Sequence, residues 1–219
     1  MSWCHQFLTI VYFGMIFRIV VAGFTKYRTL ALPLRFLYWS AVLDFMAESI
    51  GLVIHYFKGS NSEVFLVYYI SYFTLSLLFF NFSNPKFQFH IAKQYWILLP
   101  FLLILLFFLS TPNYFQLNWV IEVAINGVVF VLALYSIFIS LKQAHPNRVY
   151  LGFYILMAIT SVYDFAVDAL CKLLIYIYKV QNPIDYAIGQ TLYLLVVYYV
   201  YYRLLFGLQP KTKTQHIHD

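Results

Sequence analysis

Long apolar runs alternate with short polar connections along the whole chain. Each run has roughly 17–25 residues, which is the length that a helix needs to cross about 30 Å of hydrocarbon. The connections contain helix-breaking residues, as in Ser83-Asn84-Pro85 and His145-Pro146-Asn147. The pattern predicts an all-α membrane protein with seven transmembrane helices, near residues 6–24, 34–57, 64–82, 95–110, 118–140, 149–177 and 184–206.

The connections are too short to hold a separate soluble domain. We therefore expect residues 1–219 to form one transmembrane domain that ends in a short basic tail, residues 207–219. The first apolar run contains Arg18, is long enough to span a bilayer and lacks a clear small-residue cleavage site. These features predict a permanent helix instead of a cleaved signal peptide.

The composition strengthens this interpretation, because 63% of the residues are apolar and only 10% are charged. An ordinary soluble domain has about 25% charged residues. The net charge of +6 would favour nucleic acid in a soluble chain, but here the basic residues lie between the spans, so we expect no nucleic-acid partner. Cys4 and Cys171 are too few for a disulfide framework or a thiolate metal site.

The basic residues also predict an orientation. The first, third and fifth connections and the tail hold ten of them: Lys26, Arg28, Arg35, Lys86, Lys93, Lys142, Arg148, Arg203, Lys211 and Lys213. The second and sixth connections hold only Lys58 and Lys179, and the fourth holds none. Because basic connections stay in the cytoplasm, we expect the N-terminus outside and the C-terminus in the cytoplasm of a bacterial inner membrane.

Aromatic residues make up 22% of the chain, including 21 tyrosines. Several tyrosines gather where spans are predicted to end: Tyr198, Tyr199, Tyr201 and Tyr202. Tyrosine is enriched at both membrane–water interfaces, so these positions predict an interfacial belt.

Acidic residues inside the predicted spans are the strongest functional signal. A charge in hydrocarbon costs several kcal/mol, so an ionisable residue there is a candidate site. Five of the eight acidic residues lie in the spans, all between the midplane and the outer face: Asp44, Glu48, Glu122, Asp164 and Asp168. Helical spacing puts Asp44 with Glu48, and Asp164 with Asp168, on shared faces.

Other polar residues near these acids are candidate supporting groups. They are Arg18, His55, Asn126, Lys172 and Gln190. Lys172 is about one turn from the outer end, where a lysine ordinarily extends its amine to the interface. His55, like Asp185, is at a span boundary, where an interfacial position is the more ordinary interpretation.

The second and sixth spans contain a matching segment. Residues 40–48 and 160–168 follow the same nine-residue pattern. It begins with a hydroxyl residue, has Val at the third position and Asp-Phe at the fifth and sixth, and ends with an acidic residue. The match is compatible with a parallel repeat of three helices on either side of a linker helix. Sites in such proteins lie near the midplane between the repeats, so the two acid pairs would face each other.

Four carboxylates around one cavity cannot all stay ionised without compensation. We therefore expect that at least one of Asp44, Glu48, Asp164 and Asp168 is protonated, or that a bound cation, Lys172 or Arg18 neutralises the group.

A carboxylate-lined pocket suits hard cations, protons or amines, and it leaves several functions open. One is transport of a cation, a proton-coupled solute or an amine. Another is a sensor that passes a helix shift to a separate cytoplasmic partner. An intramembrane enzyme with Asp44 and Asp164 as a paired-acid centre is a third, but the glycine-rich surroundings of such a centre are missing. We expect no catalytic residues, no metal site and no cofactor. The partners are the lipid bilayer and, as an open alternative, further copies of this chain.

Several segments resemble an uncharacterised family of small seven-helix integral membrane proteins common in Bacteroidetes. They are Leu32-Pro33-Leu34-Arg35, Glu48 with Ile50-Gly51, Asn61 with Tyr68 and Tyr69, and Glu122. The resemblance covers most of the chain and implies a multi-pass inner-membrane protein. The chain has Tyr72-Phe73-Thr74 where we associate the family's third helix with an acidic residue.

Overall fold

The computed structural model describes residues 3–58, 62–84, 114–178 and 184–207, and the regular structure in these ranges is helical. The six long helices are α1 Trp3–Lys26, α2 Leu32–Lys58, α3 Ser62–Ser83, α4 Tyr114–Leu141, α5 Arg148–Tyr178 and α6 Ile184–Tyr202. A short 3₁₀ turn, Tyr27–Thr29, joins α1 to α2, and a π-helical turn, Arg203–Gly207, follows α6. The predicted fourth span, residues 95–110, lies outside the described residues.

Within the residues that the structure describes, five stretches are long and apolar enough to cross a membrane. They are Gln6–Thr29, Leu32–Ile54, Val64–Ser83, Ile121–Leu141 and Arg148–Val167. An all-helical chain with this many long apolar helices is typical of a multi-pass membrane protein.

Polar groups in the connections determine where helices begin. The side-chain oxygen of Asn147 accepts hydrogen bonds from the backbone N–H groups of Val149 and Tyr150, at 3.0 and 3.3 Å, and so caps the N-terminus of α5. Between α1 and α2, Arg35 donates to the carbonyls of Leu30 and Arg28, at 3.0 and 3.3 Å. These bonds fix the tight turn between the first two helices.

The helices pack in chain order around a common centre. Each described helix contacts the next one along the chain, from α1 to α6, and α6 returns to contact α1. The result is a closed ring of six helices, which we call the helix ring. Because every helix has two neighbours in the ring, one face of each is directed inward.

One end of the helix ring collects basic residues, and we call it the basic end. The end of α3 meets the start of α5 there, because the Tyr154 hydroxyl lies 2.7 Å from the Ser83 hydroxyl. The ends of α1 and α6 also meet there, since the Lys26 amine is 5.7 Å from the centre of the Phe206 ring. The helix ends and connections at this end carry Lys26, Arg28, Arg35, Lys142, Arg148 and Arg203.

A dense layer of aromatic side chains fills the helix ring near the basic end. Phe79, Phe80, Phe153 and Tyr154 are each at most 1% exposed, and we call them the aromatic layer. The rings of Phe80 and Tyr154 stack with centres 5.8 Å apart, and those of Phe79 and Phe153 meet edge to face at 6.0 Å. The described part of the bundle is therefore tightly packed on this side.

Candidate functional site

A cavity of about 230 Å³ lies inside the helix ring, and all six helices contribute to its wall. Its acidic side chains come from three helices: Asp44 and Glu48 from α2, Glu122 from α4 and Asp164 from α5. Asn126 and Gln190 add side-chain amides. Seven tyrosines also line it: Tyr12, Tyr68, Tyr69, Tyr72, Tyr193, Tyr198 and Tyr201. We call this space the acid–tyrosine cavity.

Helical spacing explains how α2 presents its acids to the cavity. Leu37, Ala41, Asp44 and Glu48 recur at intervals of three and four residues, so they share one face of the helix. That face is directed inward, because Asp44 is only 6% exposed. A carboxylate at this position is removed from lipid and can interact only with groups inside the bundle.

On the opposite wall of the cavity, polar residues one helical turn apart again share one face of a helix. Glu122 and Asn126 are one turn apart on α4, and Thr160 and Asp164 are one turn apart on α5. Asn126 is buried, with 7% of its surface exposed. The polar residues of both helices therefore form inward-facing stripes.

Tyrosine hydroxyl groups contact the two α2 carboxylates. The Tyr198 hydroxyl donates to Oδ2 of Asp44, and the Tyr12 hydroxyl lies 3.5 Å from Oε1 of Glu48, a long hydrogen bond. The rings of Tyr12 and Tyr198 meet edge to face with centres 5.7 Å apart. The neighbouring helices α1 and α6 thus contact the acidic face of α2 through Tyr12 and Tyr198.

Tyrosines also surround Asp164. Tyr72 and Tyr193 are close enough to its carboxylate for an electrostatic interaction. The ring of Tyr193 stacks on that of Tyr163 with centres 3.4 Å apart. In the part of the chain that the structure describes, the buried hydroxyl of Tyr193 has no hydrogen-bond partner.

Tyr201 forms the floor of the cavity on the side of the basic end. Its hydroxyl donates to the carbonyl of Leu37, and its ring packs edge to face on Phe153, with centres 5.2 Å apart. Phe153 belongs to the aromatic layer. The cavity thus ends where that layer begins.

The predicted site residues fall into three groups. Asp44, Glu48, Glu122, Asp164, Asn126 and Gln190 line the cavity. The side chains of Asp168, Lys172 and His55 lie outside the described part of the chain. Arg18 is placed elsewhere: its guanidinium carbon is 4.7 Å from the centre of the Tyr202 ring, and it does not line the cavity. Compensation of the acids by Arg18 therefore has no support in the geometry.

The tyrosines of the cavity are the functional residues that sequence reasoning missed. Tyr198 and Tyr201, which the sequence analysis assigned to an interfacial belt, direct their hydroxyls to α2 inside the bundle, and the belt itself stays a prediction. Tyr199, between them, is 53% exposed and faces outward. The available signal was spacing, since Leu194, Val197, Tyr198 and Tyr201 form an i, i+3, i+4, i+7 stripe.

The chemistry available in the cavity is that of carboxylates, amides and phenols. Such groups bind a cation or a protonated amine, and they exchange protons with one another or with water. Among residues 3–58, 62–84, 114–178 and 184–207, no group of three His, Cys, Asp or Glu side chains is placed to hold a metal ion.

Comparisons of the chain with protein-family descriptions, characterised proteins and solved structures find no match. The resemblance to a seven-helix family therefore stays a prediction, and the function has to be argued from the cavity.

Proposed function

We propose that the protein is a transporter-like inner-membrane protein that binds a cation or a protonated solute in the acid–tyrosine cavity. The observation that carries this proposal is the lining itself: its charged members, among the described residues, are all carboxylates. Two of them, Asp44 and Glu48, contact neutral tyrosine hydroxyls. Negative charge inside an apolar bundle attracts a cation or takes up a proton.

The proposal includes seven spans, with the N-terminus outside and the C-terminus in the cytoplasm. The distribution of charge supports this orientation, because the ends of α1, α3, α4 and α6 and the starts of α2 and α5 share the basic end. The acidic part of α2 is displaced from that end towards the opposite face. The pocket would then open outward, away from the cytoplasm.

A parallel repeat is also part of the proposal. In a ring of six helices packed in chain order, α2 and α5 are three positions apart and so lie opposite each other. A twofold axis along the membrane normal relates opposite helices in this way. Asp44 of α2 and Asp164 of α5, which occupy matching positions in the repeated segment, both line the cavity. The linker of the repeat would be residues 95–110.

The test of the proposal is a double substitution. Asp44→Asn with Asp164→Asn keeps side-chain size but removes the two deepest carboxylates, so cation binding and cation or proton flux should be abolished while membrane insertion is preserved. Purified protein in liposomes, with sodium, potassium and proton gradients, provides the measurement. Asp219→Asn, in the predicted tail, is the matched control and should leave flux unchanged. Equal flux in the double variant and the unaltered protein would refute the proposal.

A sensor is the second candidate, and the aromatic layer is the observation that favours it. A sensor needs a pocket open on one side only, and the buried layer of Phe79, Phe80, Phe153 and Tyr154 closes the other side. Binding of a cation to the purified protein without flux into liposomes would favour this role. Co-purification of a cytoplasmic signalling partner would then identify its output.

A further inference from the structure

We propose that the ligand of the acid–tyrosine cavity is a small organic ammonium ion, held by the carboxylates of Asp44 and Glu48 and by the aromatic faces of Tyr12 and Tyr198. This inference rests on the proposed function and specifies its substrate class. Asp44, Glu48 and the two tyrosines meet at one corner of the cavity, which we call the ammonium corner.

The geometry of the ammonium corner suits a cation that carries carbon. The rings of Tyr12 and Tyr198 are inclined at 68°, so they form two walls instead of a single stack. An aromatic face attracts a cation within about 6 Å of its centre, and recurring cages for methylated ammonium groups are built from such walls. Two carboxylates beside the walls add direct attraction to the same positive charge.

Other surfaces of the cavity suit the rest of such a molecule. Leu156, Met157, Leu194 and Val197 contribute apolar surface, which would contact the carbon atoms of an amine. At about 30 Å³ per water in the liquid, a cavity of 230 Å³ corresponds to roughly eight waters. That volume accommodates a small amine.

Basic residues of this protein form cation–π contacts with its aromatic rings. Four cation–π contacts are described, and each involves a basic residue at or near the basic end. The pairs are Arg18 with Tyr202, Lys26 with Phe206, Arg35 with Tyr27, and Lys142 with Phe138. In the ammonium corner, by contrast, two tyrosines and two carboxylates occur together, and no Lys or Arg of the described residues lines the cavity.

The experiment compares cations and aromatic faces on the full chain in detergent. Binding of tetramethylammonium, n-butylammonium, sodium and potassium chlorides is measured by calorimetry for the unaltered protein and for Tyr12→Phe and Tyr12→Leu. Tyr12→Phe keeps the aromatic face and removes only the long, 3.5 Å hydrogen bond to Glu48, so ammonium affinity should stay within about twofold. Tyr12→Leu removes it, and affinity should fall about tenfold. Tyr199→Leu, on the outward face, is the matched control and should change nothing.

The outcomes separate this inference from the proposed function. Tighter binding of an ammonium ion than of sodium or potassium, with the difference between Tyr12→Phe and Tyr12→Leu, supports the inference. If sodium or potassium binds as tightly as the ammonium ions and both Tyr12 variants behave alike, the inference is overturned and the proposed function stands. If none of the cations binds to folded protein, both are overturned. Thermal unfolding of each variant confirms that it is folded.

Discussion

The aromatic layer is built on α3 and α5, two of the six helices that line the acid–tyrosine cavity, and both regions are rich in aromatic side chains, yet one is open and the other is filled. In the aromatic layer the Tyr154 hydroxyl pairs with Ser83, a small neutral group, and its ring stacks on Phe80. In the cavity the Tyr198 hydroxyl pairs with Asp44, a carboxylate. Phenol groups that pair with neutral partners can be packed closely, with no cavity between them. Neighbouring carboxylates, by contrast, repel one another and need polar surroundings. The acids, and not the aromatic content, distinguish the cavity from the packed layer.

The largest effect is expected from Phe153→Ala, which tests whether the aromatic layer is close-packed. Phe153 is 0% exposed, so truncation leaves an internal void. At about 24 cal/mol per Å³, a void of on the order of 100 Å³ costs about 2–3 kcal/mol. Unfolding in detergent measures the loss. Phe24→Ala, at a position that is 82% exposed, is the control and should have little effect. Similar losses at both positions would contradict a close-packed layer.

Two glycines of α1 compare close packing with open space on one helix. A methyl group added at Gly23 would collide with the ring of Tyr38, whereas one added at Gly14 would meet nothing within 4 Å. Gly23→Ala should therefore destabilise the protein by about 1–2 kcal/mol, because the Tyr38 ring has to move. Gly14→Ala should be neutral or stabilising, since alanine is the better helix former. Thermal unfolding of the two variants gives the comparison, and the reverse order would refute it.

Removing one tyrosine hydroxyl in each region separates ligand binding from packing. Tyr198→Phe deletes the donor to Asp44, so the charged carboxylate is less stabilised and cation affinity should fall about tenfold. Tyr154→Phe deletes the donor to Ser83 and should lower stability by about 1 kcal/mol without changing affinity.

Calorimetric titration and thermal unfolding of both tyrosine variants make this test. An equal loss of affinity in Tyr154→Phe would mean that the two regions are not independent.

The smallest effect concerns a cation–π contact at the basic end. The Lys142 amine lies 3.9 Å from the centre of the Phe138 ring, and both residues are exposed. An exposed pair of this kind contributes about 0.5–1 kcal/mol. Lys142→Met should therefore lower the unfolding temperature only slightly, and less than Phe153→Ala. A larger loss would show that the basic end, and not the aromatic layer, dominates stability.

Sequence reasoning predicted the helical membrane class and many of the cavity acids. It succeeded for Asp44 and Glu48 because an acid in an apolar run is costly and because a four-residue spacing defines one face. The same reasoning identified Glu122 and Asp164 as candidate site residues, and both line the cavity. Whether these residues bind a ligand stays a prediction.

The tyrosines could not be predicted in the same way. Tyrosine occurs at membrane interfaces, in packed cores and beside carboxylates. The residue type alone therefore does not show whether Tyr198 or Tyr199 faces the cavity. Helical spacing separates them once the inward face of α6 is known, and that face is set by packing against α1, a contact between helices that are far apart in sequence. The contact of Arg18 with Tyr202 could not be predicted for a related reason, because it also depends on the packing of α6 against α1.

The packing of the helices in chain order has a consequence for biogenesis. As the chain is synthesised, each described helix from α2 to α5 contacts the one before it, whereas α6 must contact both α5 and α1. Tyr198 and Tyr201 are on that last helix. Until α6 inserts, Asp44 lacks the Tyr198 donor and the cavity lacks a wall, so its acids are more costly in the partly inserted chain. Among the described helices, α6 is the one that completes the wall of the acid–tyrosine cavity.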